Sequence, residues 1–166
     1  MSDNAKKLRK FIRWLTGSID KPSAQPEPRR LTEEDFFVYG VSYYEDNIHK
    51  LACPNPDWKK RAATLIKEGK AGKRIFRYNY VNRPIKLIED PECPLGPDTV
   101  QVFIAGEQVG CINFCDNIKV KNILNNREIK SISGFIGGGD YKIVQEDGTV
   151  DKSSNRFTVN IRIKYI

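Results

Sequence analysis

The sequence predicts a small, mainly β domain with inserted helices, and three observations carry that reading. Phe157, Val159, Ile161, Ile163 and Tyr165 alternate with Arg156, Thr158, Asn160, Arg162 and Lys164. That period of two gives a strand with one core face and one wet, basic face. Residues 99–105 and 108–114 are two β-prone runs around Gly106–Glu107, a hairpin pattern. The other β-prone runs are short, separated by glycine and proline, and interrupted by few helix-like stretches. Such an order favours a compact barrel over a parallel sheet.

The elements follow in chain order. Residues 1–17 form a basic extension. Within it Leu8, Phe11, Ile12 and Leu15 keep helical spacing, Lys6, Lys7, Arg9, Lys10 and Arg13 fill the remainder, and Gly17 suits a stop. Residues 18–31 carry Pro22, Pro26 and Pro28 and read as a linker, because proline prevents regular pairing. The domain spans 32–166. Residues 36–44 are a β-prone run ending in Tyr43 and Tyr44. Neighbours on a strand face opposite ways, so at most one of these rings serves a given face. Residues 46–51 suit one or two helical turns. Asn55–Pro56 is a cap followed by proline at the first helical position. Trp58, Ala62, Leu65 and Ile66 then mark a buried stripe that Gly69 ends.

Residues 70–74 form a basic turn. Beyond it Phe76, Tyr78 and Tyr80 share one strand face, with Arg77 and Asn79 on the other. Residues 85–89 continue as a strand, 91–97 as a loop, and 116–126 as a helix with Asp116 as its cap and Ile123 and Leu124 inward. Residues 131–136 and 141–145 are strands flanking Gly137, Gly138 and Gly139. The glycines read as a hairpin turn needing positive φ. Converging N–H groups there would alternatively make an anion nest. No helix follows, so a phosphate-loop reading fails.

Charge narrows the partners. The chain carries 28 basic and 21 acidic side chains, net +7, with a pI near 9.2. Residues 1–30 hold eight basic and three acidic groups, leaving the body nearly balanced. Anionic partners are favoured: nucleic acid, an acidic protein surface or anionic lipid. The amphipathic extension is a second candidate contact, for a protein partner, a membrane surface, DNA or the domain itself. No stretch reaches the ~20 apolar residues of a membrane span, and the start lacks a secretion signal. Cys53, Cys93, Cys111 and Cys115 follow no secreted disulfide framework, which suggests a cytoplasmic protein with reduced thiols.

Catalytic and metal readings are weak. Cys111 and Cys115 lack the tight spacing of structural zinc sites, and no metal or cofactor is expected. His49 is the one histidine and sits in a polar helical turn. Asp90, Glu92 and Asp98 suit a metal-dependent nuclease if they converge, but turn chemistry explains them as well. No nucleophile–base pair is visible, so the chain is expected to bind rather than catalyse. For phosphates, the candidates are Arg74, Arg77 and Lys86, with Tyr43 or Tyr44 as a base-stacking platform. Arg156, Arg162 and Lys164 form either a binding face or a solvated face that blunts an edge strand.

Three segments carry a family resemblance: FFVYGVSYY (36–44), IKLIEDPECPLGPDTVQVFIAGEQVGCI (85–112) and ISGFIGGGDYKIV (132–144). Over about residues 36–146 the chain resembles a HIRAN domain, the third segment matching bacterial members. The resemblance implies a modified OB-like or SH3-like β-barrel that binds DNA. The best-understood members prefer a free single-stranded 3′ end, and many are fused to helicases or nucleases that serve DNA repair. It places Tyr43, Tyr44, Cys93, Leu95, Gly96 and Cys111 at the DNA-end pocket. Several of these depart from the family pattern. Cys93, Leu95 and Gly96 stand for an asparagine, a tyrosine and an aspartate. Ser42 stands for an arginine, and Cys111 for a tyrosine or histidine. A stacking ring and a carboxylate are thus absent from the loop. The chain has no phosphate-loop glycine-lysine motif, so it would bind or recruit. A protein-interaction adaptor is the competing expectation.

Overall fold

The computed structural model describes residues 30–93 and 96–166. The chain divides into two units, Met1–Arg30 and Leu31–Ile166. The helix expected within the 1–17 extension and nearly all of the linker expected over 18–31 lie outside the described residues.

The second unit is mostly β. Its strands are β1 (Thr32–Tyr39), β2 (Cys53–Pro54), β3 (Arg74–Phe76), β4 (Tyr78–Asn79), β5 (Ile85–Glu89), β6 (Val100–Ile104), β7 (Glu107–Ile112), β8 (Ile129–Val144) and β9 (Val150–Tyr165). Three helices are inserted: α1 (Glu45–Lys50), α2 (Ala62–Lys67) and α3 (Phe114–Asn126). Seven strands form one antiparallel sheet in the order β3-β8-β9-β1-β7-β6-β5, and β2 pairs with β4 separately.

The expected closed barrel is not formed. β3 and β5 are the outer strands and no ladder joins them. The sheet nevertheless curls. Ile85 of β5 approaches Gly134 of β8 so closely that a Cβ there would lie 2.5 Å from Ile85 Cδ1. The concave side buries Phe36, Val38, Val102, Val109, Ile161 and Ile163, with Val120 and Ile123 of α3 and Ile48 of α1 packed in. Full burial of such a side chain is worth roughly 1.5–3 kcal/mol. A smaller cluster of Leu65, Ile75 and Val144 joins α2 to β3 and β8.

β1 has two partners. Thr32 to Phe37 pair with β9, then Val38 and Tyr39 pair with β7. β9 continues along β8 without β1 on its other side. The two strands therefore part at the Phe37–Asn160 pair, and this split positions the candidate site.

Several local expectations are corrected. The run 36–44 is not one strand: Gly40 turns left-handed at φ 74°, and Val41–Tyr44 is a 3-10 helix. Residues 75–80 split between β3 and β4, which pair with different strands. The stripe from Trp58 to Ile66 is broken into a 3-10 helix, Pro56–Lys59, and α2. Asn55 caps the first as expected, accepting from Asp57 N–H. α3 is capped by Asn113, which accepts from Cys115 N–H, rather than by Asp116. The β6–β7 loop is Ala105–Gly106, both at positive φ, so Glu107 opens β7.

The three glycines are not a turn. They lie inside β8, where the register slips between Gly137 and Gly139. A Cβ on Gly138 would collide with the Arg156 carbonyl, and one on Gly139 would lie 2.9 Å from the Phe157 ring. The real turn is 145–149, where Asp147 accepts from the Thr149 N–H and hydroxyl. Among the described residues no helix is long and apolar enough to cross a membrane.

Candidate nucleic-acid interface

Where β1 leaves β9, a cleft of about 730 Å³ opens between them. One wall is Phe37, Tyr39, Gly40 and Ser42; the other is Arg156, Phe157 and Thr158. A second cleft of about 400 Å³ continues along β9, sharing Glu45, Arg156 and Phe157 and adding His49, Tyr78, Asp140 and Asn155. A third, also about 400 Å³, lies across Asn160 and is lined by Asp35, Ser133, Phe135 and Arg162. The three follow β9 from Ser154 to Arg162, a span of ~30 Å at the rise of a strand.

Rings stand on the solvent face of this tract. Phe37 is 64% exposed, Phe135 65% and Tyr39 57%. Phe135, Asn160 and Phe37 form one cross-strand row over β8, β9 and β1. Aromatic side chains normally contribute by burial, so three exposed rings on the two strands that flank β9 make this tract the candidate contact surface. The charge beside them is partly committed. Arg162 donates two hydrogen bonds to Asp35, at 2.6 and 2.8 Å, and holds that carboxyl below its usual range. Lys164 pairs with Glu33 at 2.6 Å. The alternating face of β9 is thus neutralised by β1, and over 160–165 β9 is an inner strand rather than an edge. Arg156 has no acidic partner among the described residues and lines two of the clefts.

The expected site residues fall into separate places. Tyr43 is 88% exposed on the 3-10 helix beside Gly40, outside the residues that line the cleft, while Tyr44 is half-buried. Their division comes from a helical turn, not from strand alternation. Arg77 sits 5.2 Å from the Tyr78 ring and pairs with Asp140 at 3.2 Å, so it borders the second cleft. Arg74 lies 5.0 Å over Tyr141 on β3. Lys86 is on β5, at the opposite edge of the sheet from Arg74. These three cations do not form one phosphate grip.

Cys111 pairs with Tyr39 across β7 and β1, its thiol pushed up by burial and secondly by the Cys93 thiol nearby. Gly96 donates its N–H to the Cys93 carbonyl, within the same loop. Leu95 lies outside the described residues. Asp90 accepts from Gln101 and from Glu92 N–H, and Asp98 pairs with Lys121 at 2.8 Å. Asp90 and Asp98 are thus engaged in fixing the loop and its contact with α3. Among the described residues no three His, Cys, Asp or Glu side chains are grouped to hold a metal. His49 packs edge-on to Phe157 at 5.3 Å.

Sequence reasoning missed Phe37, Tyr39, Phe135 and Asn160 as site residues. The alternation of β9 did contain a signal, since Asn160 and Arg156 are on its wet face, but the parting of β1 from β9 is a tertiary event. No protein family, curated protein or solved structure matches the chain.

Proposed function

We propose that the second unit is a non-enzymatic, HIRAN-like module that binds single-stranded nucleic acid, DNA by the resemblance, along β9. The observation that carries the proposal is the cleft between β1 and β9, with Phe37 and Tyr39 on its rim and the uncommitted Arg156 in its wall. Rings offer every base a stacking face, and a cation without an internal partner is free for phosphate. An OB-like origin of the curled sheet belongs to the same reading. The rings lie beside the family-like GVSYY segment, whose Gly40, Val41 and Ser42 line the cleft. The 3′-end pocket is not part of the proposal, because Leu95 and Gly96 stand where the family has the pocket's ring and carboxylate and supply neither.

Fluorescence anisotropy of the full chain with a labelled single strand tests this. Phe37→Ala and Tyr39→Ala are each expected to weaken binding about tenfold, from a stacking energy of roughly 1–3 kcal/mol per base. Arg156→Glu is expected to lower the log–log salt slope by about 1 or more. Unchanged affinity in all three variants would remove the cleft from the function.

A protein-interaction adaptor is the second reading. The neutralised β9 face and the unpaired edge of residues 150–158 favour it, because an extended peptide can add to a free strand edge. Capture of a protein that survives nuclease and high salt, with no oligonucleotide binding, is its distinguishing result.

A further inference from the structure

Charge in the second unit is segregated. Residues 57–74 hold seven basic and two acidic side chains, and the rest of 31–166 holds thirteen basic and sixteen acidic ones. A lobe of net +5 therefore stands on a body of net −3. The lobe comprises the 3-10 helix Pro56–Lys59, α2 and β3, and Leu65 and Ile75 seat it on Val144 of β8. Its two acids are matched within it, because Lys60 and Lys70 each pair with both Asp57 and Glu68. Lys59, Arg61, Lys67 and Lys73 are exposed and have no acidic partner among the described residues. Arg74 is exposed too, and its guanidinium lies over the Tyr141 ring rather than against a carboxylate. Five uncompensated cations in one small lobe repel one another, and their summed field attracts a polyanion. The surface has an acidic border at the β8–β9 turn, where Glu146, Asp147 and Asp151 stand.

The lobe differs from the β9 tract in having no exposed ring. None of the large apolar side chains that stand exposed falls within 57–74. Trp58 is half-buried, with Lys142 Nζ 5.7 Å from its ring centre. A surface of cations without rings holds phosphates and leaves bases alone. A duplex presents that ligand: its bases are stacked inside, and it carries one negative charge per ~1.7 Å of axis. The β9 tract leads to the lobe. Lys152 lies two residues beyond Ser154, ~7 Å along the strand. It is registered opposite Lys142, whose amine donates to the Trp58 and Lys60 carbonyls. Arg77, the residue after β3, pairs with Asp140 in the wall of the second cleft.

We propose that this lobe is a backbone-binding surface for duplex nucleic acid. The ligand of the whole domain is then a duplex with a single-stranded tail, the tail along β9 and the duplex on the lobe. That assignment of the tail rests on the reading of β9 as a single-strand tract.

Anisotropy of the full chain with a labelled single strand, a blunt duplex, and a duplex bearing the same strand as a tail tests this. The wild type is compared with a triple variant, Arg61→Gln, Lys67→Gln and Lys73→Gln, whose fold is checked by circular dichroism. The wild type is expected to bind the tailed duplex about tenfold more tightly than the tail alone at low salt, through the added phosphate contacts. The triple variant is expected to lower the log–log salt slope on the tailed duplex by about 2–3, at ~0.9 per phosphate, and to keep its affinity for the single strand. Residues 1–30 are the same in both chains, so the difference belongs to the lobe. Equal affinity for tail and tailed duplex, or an unchanged slope in the variant, would overturn the inference while single-strand binding stands. Displacement of the duplex by polyglutamate at equal charge concentration would assign the lobe to an acidic protein partner and overturn it as well. Blunt-duplex binding that the variant weakens, with no binding of the single strand, would support the lobe and overturn the reading of β9.

Discussion

Gly138 and Gly148 both hold positive φ, 102° and 86°, but their surroundings differ. A Cβ on Gly148 meets nothing, whereas one on Gly138 runs into the Arg156 backbone. Gly148→Ala is expected to cost about 1 kcal/mol, the backbone strain alone. Gly138→Ala is expected to cost roughly 3 kcal/mol or more, because the β8–β9 ladder must also move. Urea unfolding of the two variants measures the difference, and equal losses would deny the close approach. Tyr80 makes the opposite kind of case. Its hydroxyl is buried without a partner, and burial pushes its pKa up to about 12. Tyr80→Phe is expected to raise stability by about 1 kcal/mol, since an unsatisfied buried group is removed and no hydrogen bond is lost. A lower unfolding midpoint would mean that the hydroxyl has a partner.

The 3-10 helix Pro56–Lys59 is held by charges rather than by a core. Lys60 and Lys70 bridge Asp57 and Glu68, with Lys60 2.7 Å from each carboxylate. Hydrogen bonds from Lys60 and then Lys70 hold both carboxyls below their usual 3.8 and 4.5. Depressed folded values stabilise above the unfolded ones, and the contribution fades as pH falls through the folded ones. The protection factors of amides across residues 56–70, which are corrected for the intrinsic pH dependence of exchange, are therefore expected to fall on acidification from about pH 5 to pH 3. Asp57→Asn should exchange faster at neutral pH and respond less to acid. Beneath the same helix Lys142, nearly buried, donates to the Trp58 and Lys60 carbonyls at 2.8 and 3.1 Å. This fastening was not legible in the sequence, because it joins residues 84 and 82 positions apart. What was legible depended on local rules: the alternation of β9, the Asn55–Pro56 cap and the β6–β7 hairpin. Where the glycines of β8 were read as a turn, the local signal was the same for a turn and for a bulge. The neighbour that decides between them, Arg156, lies across a ladder. Likewise Gly40 reads as a weak strand residue, yet its left-handed φ is what turns Tyr43 and Tyr44 out of β1.

Across the whole domain, charge alone does not single out the proposed interface. Arg162 and Lys164 of β9 are paired with Asp35 and Glu33 of β1, and the body is close to neutral outside residues 1–30. The tract along β9 is defined by shape instead: β1 changes partner, a cleft opens, and rings are left on its rim. Salt is therefore expected to weaken binding less than for proteins that neutralise 6–10 phosphates, whose affinity falls by roughly 10³–10⁵ between 50 and 200 mM salt. The resemblance placed the site at the 90–96 loop and the tyrosine pair. Only the tyrosine end meets the cleft, through Gly40, Val41 and Ser42. An amide-resolved titration of the full chain with a short single-stranded oligonucleotide places the contact most directly. Perturbed amides should concentrate at Phe37–Ser42, Ser133–Phe135 and Ser154–Arg162. Perturbations confined to residues 1–30, or none at all, would contradict a binding tract on β9.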